Sequence, residues 1–357
     1  MIWLAWRQFR AAALMTALAL AALAAVLAMS RTTLGGEYAQ GLTSCGELGD
    51  CERFLDRFFD EHQTPFLGVT AVALALPALV GLFWGAPLIT RELEAGTHLL
   101  VWSQSITRTR WLAVKLALLG GAAAVTGGLG SLAVSWWAAD LDRAAVDFPL
   151  MGPLVFAGRG IVPIGYAAFA FALGVTVGML VRRPLPAMAL TLALFTAVQI
   201  AMPLLIRPHL LPPARASFAL IPENVDQLLR GQEGALMVAL ATRVPGDPGA
   251  WTLSSRLVGP PGSVTSAART GDQALPDETF VPVPTASGPC SLEAQPAARP
   301  AQSRDTCLDE INRRGYRQEV TYQPSSRFWP LQWLETGLYA VLTLGLMGLC
   351  LRLIRRL

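Results

Sequence analysis

Lysine is all but missing from this sequence. Of its 28 basic residues only Lys115 is lysine, and the segment around it, RWLAVKL, has none of the glycines of a phosphate-cradling loop. Histidine is scarce too: His62, His98 and His209 stand far apart, with no HExxH and no metal-ligand spacing. No G-x-S-x-G elbow presents a nucleophilic serine. These absences argue against an intrinsic enzyme, and no catalytic, cofactor-binding or metal-ligating residue is assigned. Charge is short overall, at 15% of residues against about a quarter in soluble domains. A net charge of +3 without a basic stripe argues against nucleic acid as a partner.

What the chain has instead is apolar length. Hydrophobic residues make up 53% of it and the mean hydropathy is +0.45, which points to a lipid bilayer. A helix needs about 20 apolar residues to cross the hydrocarbon core. The stretches 11–29, 66–89, 112–137, 161–181, 185–206 and 331–351 qualify. Pro77, Pro87 and Pro163 are expected to kink or cap their helices. Gly174 and Gly178 have the small-xxx-small spacing that lets helices approach closely, with packing inside the chain favoured over a dimer interface.

Arginine and lysine collect on alternate sides of these spans. One side holds Arg7, Arg10, Arg91, Arg108, Arg110, Lys115, Arg182, Arg183, Arg352, Arg355 and Arg356. The loops opposite, residues 45–62 and 140–147, lean acidic. By the positive-inside rule both termini face the cytoplasm. Cys45 and Cys51 then share the first outer loop and Cys290 and Cys307 the last. An oxidising compartment favours the pairs Cys45–Cys51 and Cys290–Cys307, although four cysteines allow three connectivities. Cys350 is left over as a small packing residue.

Residues 207–330, between the fifth and sixth spans, differ in composition and are expected to form a small α+β extracytoplasmic domain. Residues 221–242 have a helical period, 303–315 look like a short helix ended by a glycine, and 316–324 alternate as a strand. The proline- and glycine-dense stretch between them predicts turns and short strands. Trp329 and Trp333 mark the return to the membrane interface. The expected fold is thus an all-α polytopic membrane protein with six transmembrane helices and that one inserted domain. Residues 1–206 carry an N-terminal interfacial helix and five spans, and 331–357 the sixth span and a basic tail.

The middle of every span is free of ionisable side chains, where an ion-coupled carrier would hold its coupling ion. Something else must drive it. One compact polar segment, RELEAGTHLLVWSQSITRTRW (91–111), suits a docking surface for a soluble motor, with apolar residues to fill a cleft and charges to fix register.

That segment, continued as RELEAGTHLLVWSQSITRTRWLAVKL, resembles the permease subunits of type-2 ATP-binding cassette exporters, whose fold is like the G subfamily. The match is an acidic-x-x-Gly-Thr segment, a Ser/Thr-Arg turn and a lysine entering the third span. IWLAWRQFR is similar to the family's interfacial connecting helix, and TYQPSSRFWPLQWLE looks closest to actinobacterial permeases. The resemblance implies that the loop after the second span is a coupling helix seated on a separate cytoplasmic ATPase subunit, which binds the ATP and magnesium. It carries Arg91, Glu92, Glu94, Gly96 and Thr97 over as contact residues, with Arg108 and Arg110 explained equally by topology. It also implies a second permease copy or a sister permease, in a bacterial plasma membrane. A hydrophobic or amphiphilic cargo fits the apolar pathway. The alternative from another class is a non-transporting scaffold or receptor whose extracytoplasmic domain binds a partner.

Overall fold

The computed structural model describes residues 2–48, 51–94, 107–145, 147–230, 236–260, 279–281, 283, 289–290 and 300–355. Among them, six helices are long and apolar enough to cross a membrane. Hydrocarbon offers backbone groups no partner, and a continuous apolar helix satisfies them through its own ladder.

Helix α1 (Ile2–Leu48) is unbroken. It contains no proline, so it runs through the start expected to lie in the interface and well past the expected span end at Met29. Helix α2 (Cys51–Val80) begins equally early. Residues 45–62, expected as an acidic loop, are therefore mostly helical. Their aromatics give the reason. Phe54, Phe58 and His62 recur at i, i+4 on one face, with ring centroids 5.8 and 4.8 Å apart, and Phe58 meets Tyr38 of α1 at 5.5 Å. The Cys45 and Cys51 sulfurs are bonded, 1.98 Å apart.

Pro65 and Pro77 lie inside α2. A proline removes a ladder bond and crowds the carbonyl four residues back. Pro87 bears in this way on the carbonyl of Phe83, and there the helix widens into a π turn, Gly81–Gly85, closed by Ala86 N donating to Gly81 O at 3.0 Å. It restarts as α3 (Pro87–Glu94), since a proline at a first turn sacrifices no bond. Next come α4 (Arg108–Ala138), short helices α5 (Leu141–Ala144) and α6 (Pro153–Gly158), α7 (Val162–Val181) and α8 (Pro184–Ala201). Helix α8 passes through a second π turn, Met202–Ile206, into α9 (Arg207–Leu210). The last span comes after the inserted segment.

The chain divides into two compact units, with breaks after Leu211 and Ser326. The helical unit centres on α7: 78% of its apolar window is buried, against 6% for α1. The second unit, residues 212–326 with 149–152, holds two three-stranded sheets. Strands β1 (Ala214–Phe218), β4 (Trp251–Val258) and β6 (Arg317–Gln323) pair antiparallel in the order β1-β6-β4. Strands β2 (Val225–Arg230), β3 (Leu236–Leu240) and β5 (Thr279–Val281) form the other, in the order β2-β3-β5. Helix α10 (Pro300–Arg313) puts Leu308 and Ile311 into one core with Val225, Val238 and Val281. Gly315 ends it at φ +88°, a conformation glycine adopts without steric cost. Cys290 and Cys307 are bonded at 1.99 Å.

The helix expected over 221–242 is instead a 3-10 turn, Pro222–Asn224, followed by β2 and β3. Short apolar runs fit either period, and long-range pairing decides between them. Asn224 helps set the strand: its Oδ1 accepts from Ile221 N at 2.8 Å and its Nδ2 donates to Ala219 O at 2.9 Å.

Helix α11 (Phe328–Leu353) completes the helical unit.

Candidate functional site

Of the expected contact residues, Arg91, Glu92 and Glu94 lie on α3, while Gly96 and Thr97 fall outside the described residues. How α3 is held is well defined. A Cβ on Gly81 would sit 2.8 Å from Ala170 O, and one on Gly85 2.5 Å from Phe171 O. Reciprocally, a Cβ on Gly174 would sit 2.4 Å from Gly81 O, and one on Gly178 2.6 Å from Ala86 O. Contacts that close admit no side chain on either helix. The expected Gly174/Gly178 pattern is therefore spent inside the chain, locking the π turn and the start of α3 onto α7. Thr90 is fully buried, and its Oγ1 donates to Ala86 O at 3.1 Å.

Apolar side chains extend this lock. Ile89 of α3, Trp111 and Leu112 of α4, Val175 and Met179 of α7, and Cys350 of α11 share one buried cluster, with Phe9 of α1 packed against it. Lys115 is buried, its Nζ 4.3 Å from the centre of the Trp111 ring. Arg108 and Arg110 open α4 on its exposed side, and Arg182 caps α7 in a left-handed turn at φ 58°. The basic residues thus gather where α3 and α7 end and α4 begins.

The other end of the helical unit holds buried charge. Arg207 of α9 and Glu335 of α11 are 1% and 0% exposed. Nε of Arg207 donates to Glu335 Oε2 at 2.8 Å and Nη2 to Oε1 at 3.1 Å, a two-point pairing suited to the flat guanidinium. The Tyr166 hydroxyl of α7 donates to Glu335 Oε1 at 2.5 Å, and the Phe156 ring lies 4.3 Å below the guanidinium. Tyr339 OH donates to Gln199 Oε1 at 3.0 Å, adding a tie from α11 to α8.

Beside this pair, buried Gln332 stitches the break between α6 and α7. Its Oε1 accepts from Ile161 N and Val162 N, both at 2.9 Å, while its Nε2 donates to Phe156 O and Arg159 O, both at 3.2 Å. Otherwise unpaired helix-end groups are satisfied in this way. Gly160 must be glycine on two counts: φ is +67°, and a Cβ would approach Gln332 Oε1 to 2.7 Å. Arg159, 2% exposed, gives Nε and Nη2 to Asp142 at 3.0 and 3.1 Å. Burial raises the Asp142 carboxyl above its usual value, with Arg159 opposing the shift.

This end is not legible in the sequence: Arg207 falls in the expected inserted segment 207–330, and Glu335 stands beside two tryptophans at the start of the sixth apolar stretch. An available signal was the carboxylate itself, since an ionisable residue inside an apolar helix needs a partner. Among the described residues no group of three or more His, Cys, Asp or Glu could hold a metal ion.

The family model described as ABC-2 membrane transporter related matches residues 17–207, more than half of the 357-residue chain. No curated protein and no solved structure matches the chain.

Proposed function

This chain belongs to the ABC-2 membrane transporter related family, and from that premise we propose that it is the permease subunit of an ATP-binding cassette exporter. A separate cytoplasmic ATPase, which binds the ATP and magnesium, drives it through the segment 91–111, with Arg91, Glu92, Glu94, Gly96 and Thr97 at the contact. Arg108 and Arg110 flank it. Both termini face the cytoplasm of a bacterial cell, and the unit of residues 212–326 is extracytoplasmic. A second permease, identical or a sister chain, completes the assembly, and the cargo is hydrophobic or amphiphilic.

The observation that supports this most is the glycine lock. Helix α3 is fixed to the most buried span by carbonyl contacts with no slack, so a push on α3 is carried into α7 rather than absorbed at a hinge. Closure of an ATPase pair against the segment 91–111 would in this way tilt the central span between inward- and outward-open states.

The test is co-purification and ATPase activity in matched membranes, with Glu92→Arg and Glu94→Arg combined. Charge reversal on a docking surface can cost several kcal/mol through like-charge contact. Insertion and expression should stay near wild type, while the bound ATPase and its transport-coupled activity fall together. Normal binding and coupling in the double variant would remove these glutamates from the interface.

A further inference from the structure

Helices α1 and α4 touch unevenly. They are joined near Arg31, whose Nη1 donates to Trp137 O at 3.0 Å and pairs with Asp140 at 2.9 Å. A lateral groove of about 880 Å³ runs between them. Its α1 wall carries Ala17, Ala21 and Ala24, and its α4 wall Val125, Leu129 and Leu132, all exposed along the groove's open side. Among the described residues no charged side chain lines it.

Each end of the groove has an aromatic ring and an arginine. At one end Phe9 packs edge-on against Trp84 with centroids 4.6 Å apart, both lining the groove, and exposed Arg10 follows Phe9. At the other, Trp136 lines the groove and the Arg31 guanidinium lies 5.7 Å from its centroid. Arg31 uses only Nη1 in its bonds among the described residues, leaving donors on Nε and Nη2. Asp140 is shared between Arg31 and Arg143. Along one helix, Arg10 and Arg31 are separated by about 32 Å at 1.5 Å per residue. That distance matches the roughly 30 Å hydrocarbon core, with tryptophan and arginine at both interface levels.

We infer that this groove is a binding site for anionic phospholipid, one molecule from each leaflet. One acyl chain of each lies along the alanine wall, and the phosphates meet Arg10 at one end and Arg31 at the other. The chemistry fits: an apolar trough with an arginine beside each end, Arg10 next to Phe9 and Arg31 near the Trp136 ring, suits an anionic head group with an apolar tail. The size fits one acyl chain from each molecule, since 880 Å³ holds about thirty groups at roughly 30 Å³ each, two chains meeting end to end. Alanine on the α1 wall leaves room that leucine would fill. The site stands independently of what the chain transports. Lipid there would pack a helix that the protein itself holds only weakly, with 6% of its apolar window buried.

The full chain, in nanodiscs containing phosphatidylglycerol with a diazirine on one acyl chain, is irradiated and its adducts mapped by mass spectrometry. Adducts should concentrate on groove residues of α1 and α4. Ala21→Phe, which fills the trough, should cut them roughly tenfold by steric exclusion. Leu18→Phe, on an exposed part of α1 outside the groove, should leave them unchanged and controls for folding. Arg10→Gln should lower adducts at its own end by roughly two- to fivefold, the range of an exposed ion pair. The same diazirine on phosphatidylcholine should label the groove less. Equal labelling of groove and outer face, or no response to Ala21→Phe, would overturn the site. An Ala21→Cys variant that forms a disulfide-linked dimer would instead assign the groove to a second copy. None of these readouts uses the ATPase, so failure here and failure of the exporter reading are separable.

Discussion

The buried pair Arg207–Glu335 invites a double-mutant cycle. Substituting Glu335→Leu leaves a guanidinium that keeps the Phe156 ring and the 3.4 Å approach to Tyr166 OH but loses both carboxylate bonds. Substituting Arg207→Met leaves a carboxylate, fully buried, holding one strong bond from Tyr166 at 2.5 Å. Removing one partner of a buried pair costs about 3–5 kcal/mol, chiefly because the other charge stays desolvated. The carboxylate variant keeps a charge-assisted bond of about 1.5–3 kcal/mol. Arg207→Met should therefore cost less than Glu335→Leu. The double variant has no charge left to strand and should return to near wild-type stability, or exceed it by about 1–4 kcal/mol. Reversible unfolding in bicelles on all four proteins measures the coupling energy. A double variant at least as unstable as the worse single one would mean that packing volume, not charge, holds α9 to α11.

The glycine lock predicts position-specific intolerance. Gly174→Ala places a Cβ 2.4 Å from Gly81 O and should cost about 1–3 kcal/mol, whereas Gly337→Ala, with nothing within 4 Å, should be neutral or mildly stabilising in the same unfolding assay. Cleaving Cys290–Cys307, at sequence separation 17, should destabilise the second unit by about 3 kcal/mol on the loop-closure account, and peptide mapping without reduction should recover it and Cys45–Cys51 with Cys350 free. Asp142 has a folded-state pKa above its unfolded one, so the native state binds the extra proton and stability falls as pH rises from the usual carboxylate range through the raised value. Asp142→Asn should flatten that slope in unfolding curves taken across the window.

Legibility in the sequence followed the range of the interaction. Spans were readable because each apolar helix satisfies its own backbone. Their ends were not, because nothing local stops α1 at Met29 or starts α2 at Phe66 once the Phe54–Phe58–His62 face has Tyr38 to pack on. The strand at 316–324 and the helix over 303–315 carried strong local patterns and appear as β6 and α10. At 221–242 the local pattern was ambiguous, and the pairing of β2 with β3 and of β3 with β5 decided it.

The buried charges show the limit most sharply. A hydropathy window averages Glu335 into its apolar neighbours and puts Arg207 just beyond a span, so neither stands out. What makes them a pair is a contact across 128 residues of sequence, with Tyr166 brought in from a third helix. Gly174 and Gly178 were the converse case: their spacing was visible, but it fits any close-packed neighbour. Only the π turn before Pro87 identifies the partner, because the widened backbone is what carries Gly81 O and Ala86 O against α7. One proline therefore links the two observations that matter for coupling, the irregular helix before α3 and the glycines that receive it. Replacing Pro87 by leucine tests that link: if the π turn is its consequence, the variant should regularise the helix, shift residues 81–94 in register and weaken the α3–α7 lock. Faster amide hydrogen exchange over 86–94 is the expected readout. Unchanged protection would make the glycines sufficient on their own, with the π turn imposed by α7 and not by the proline.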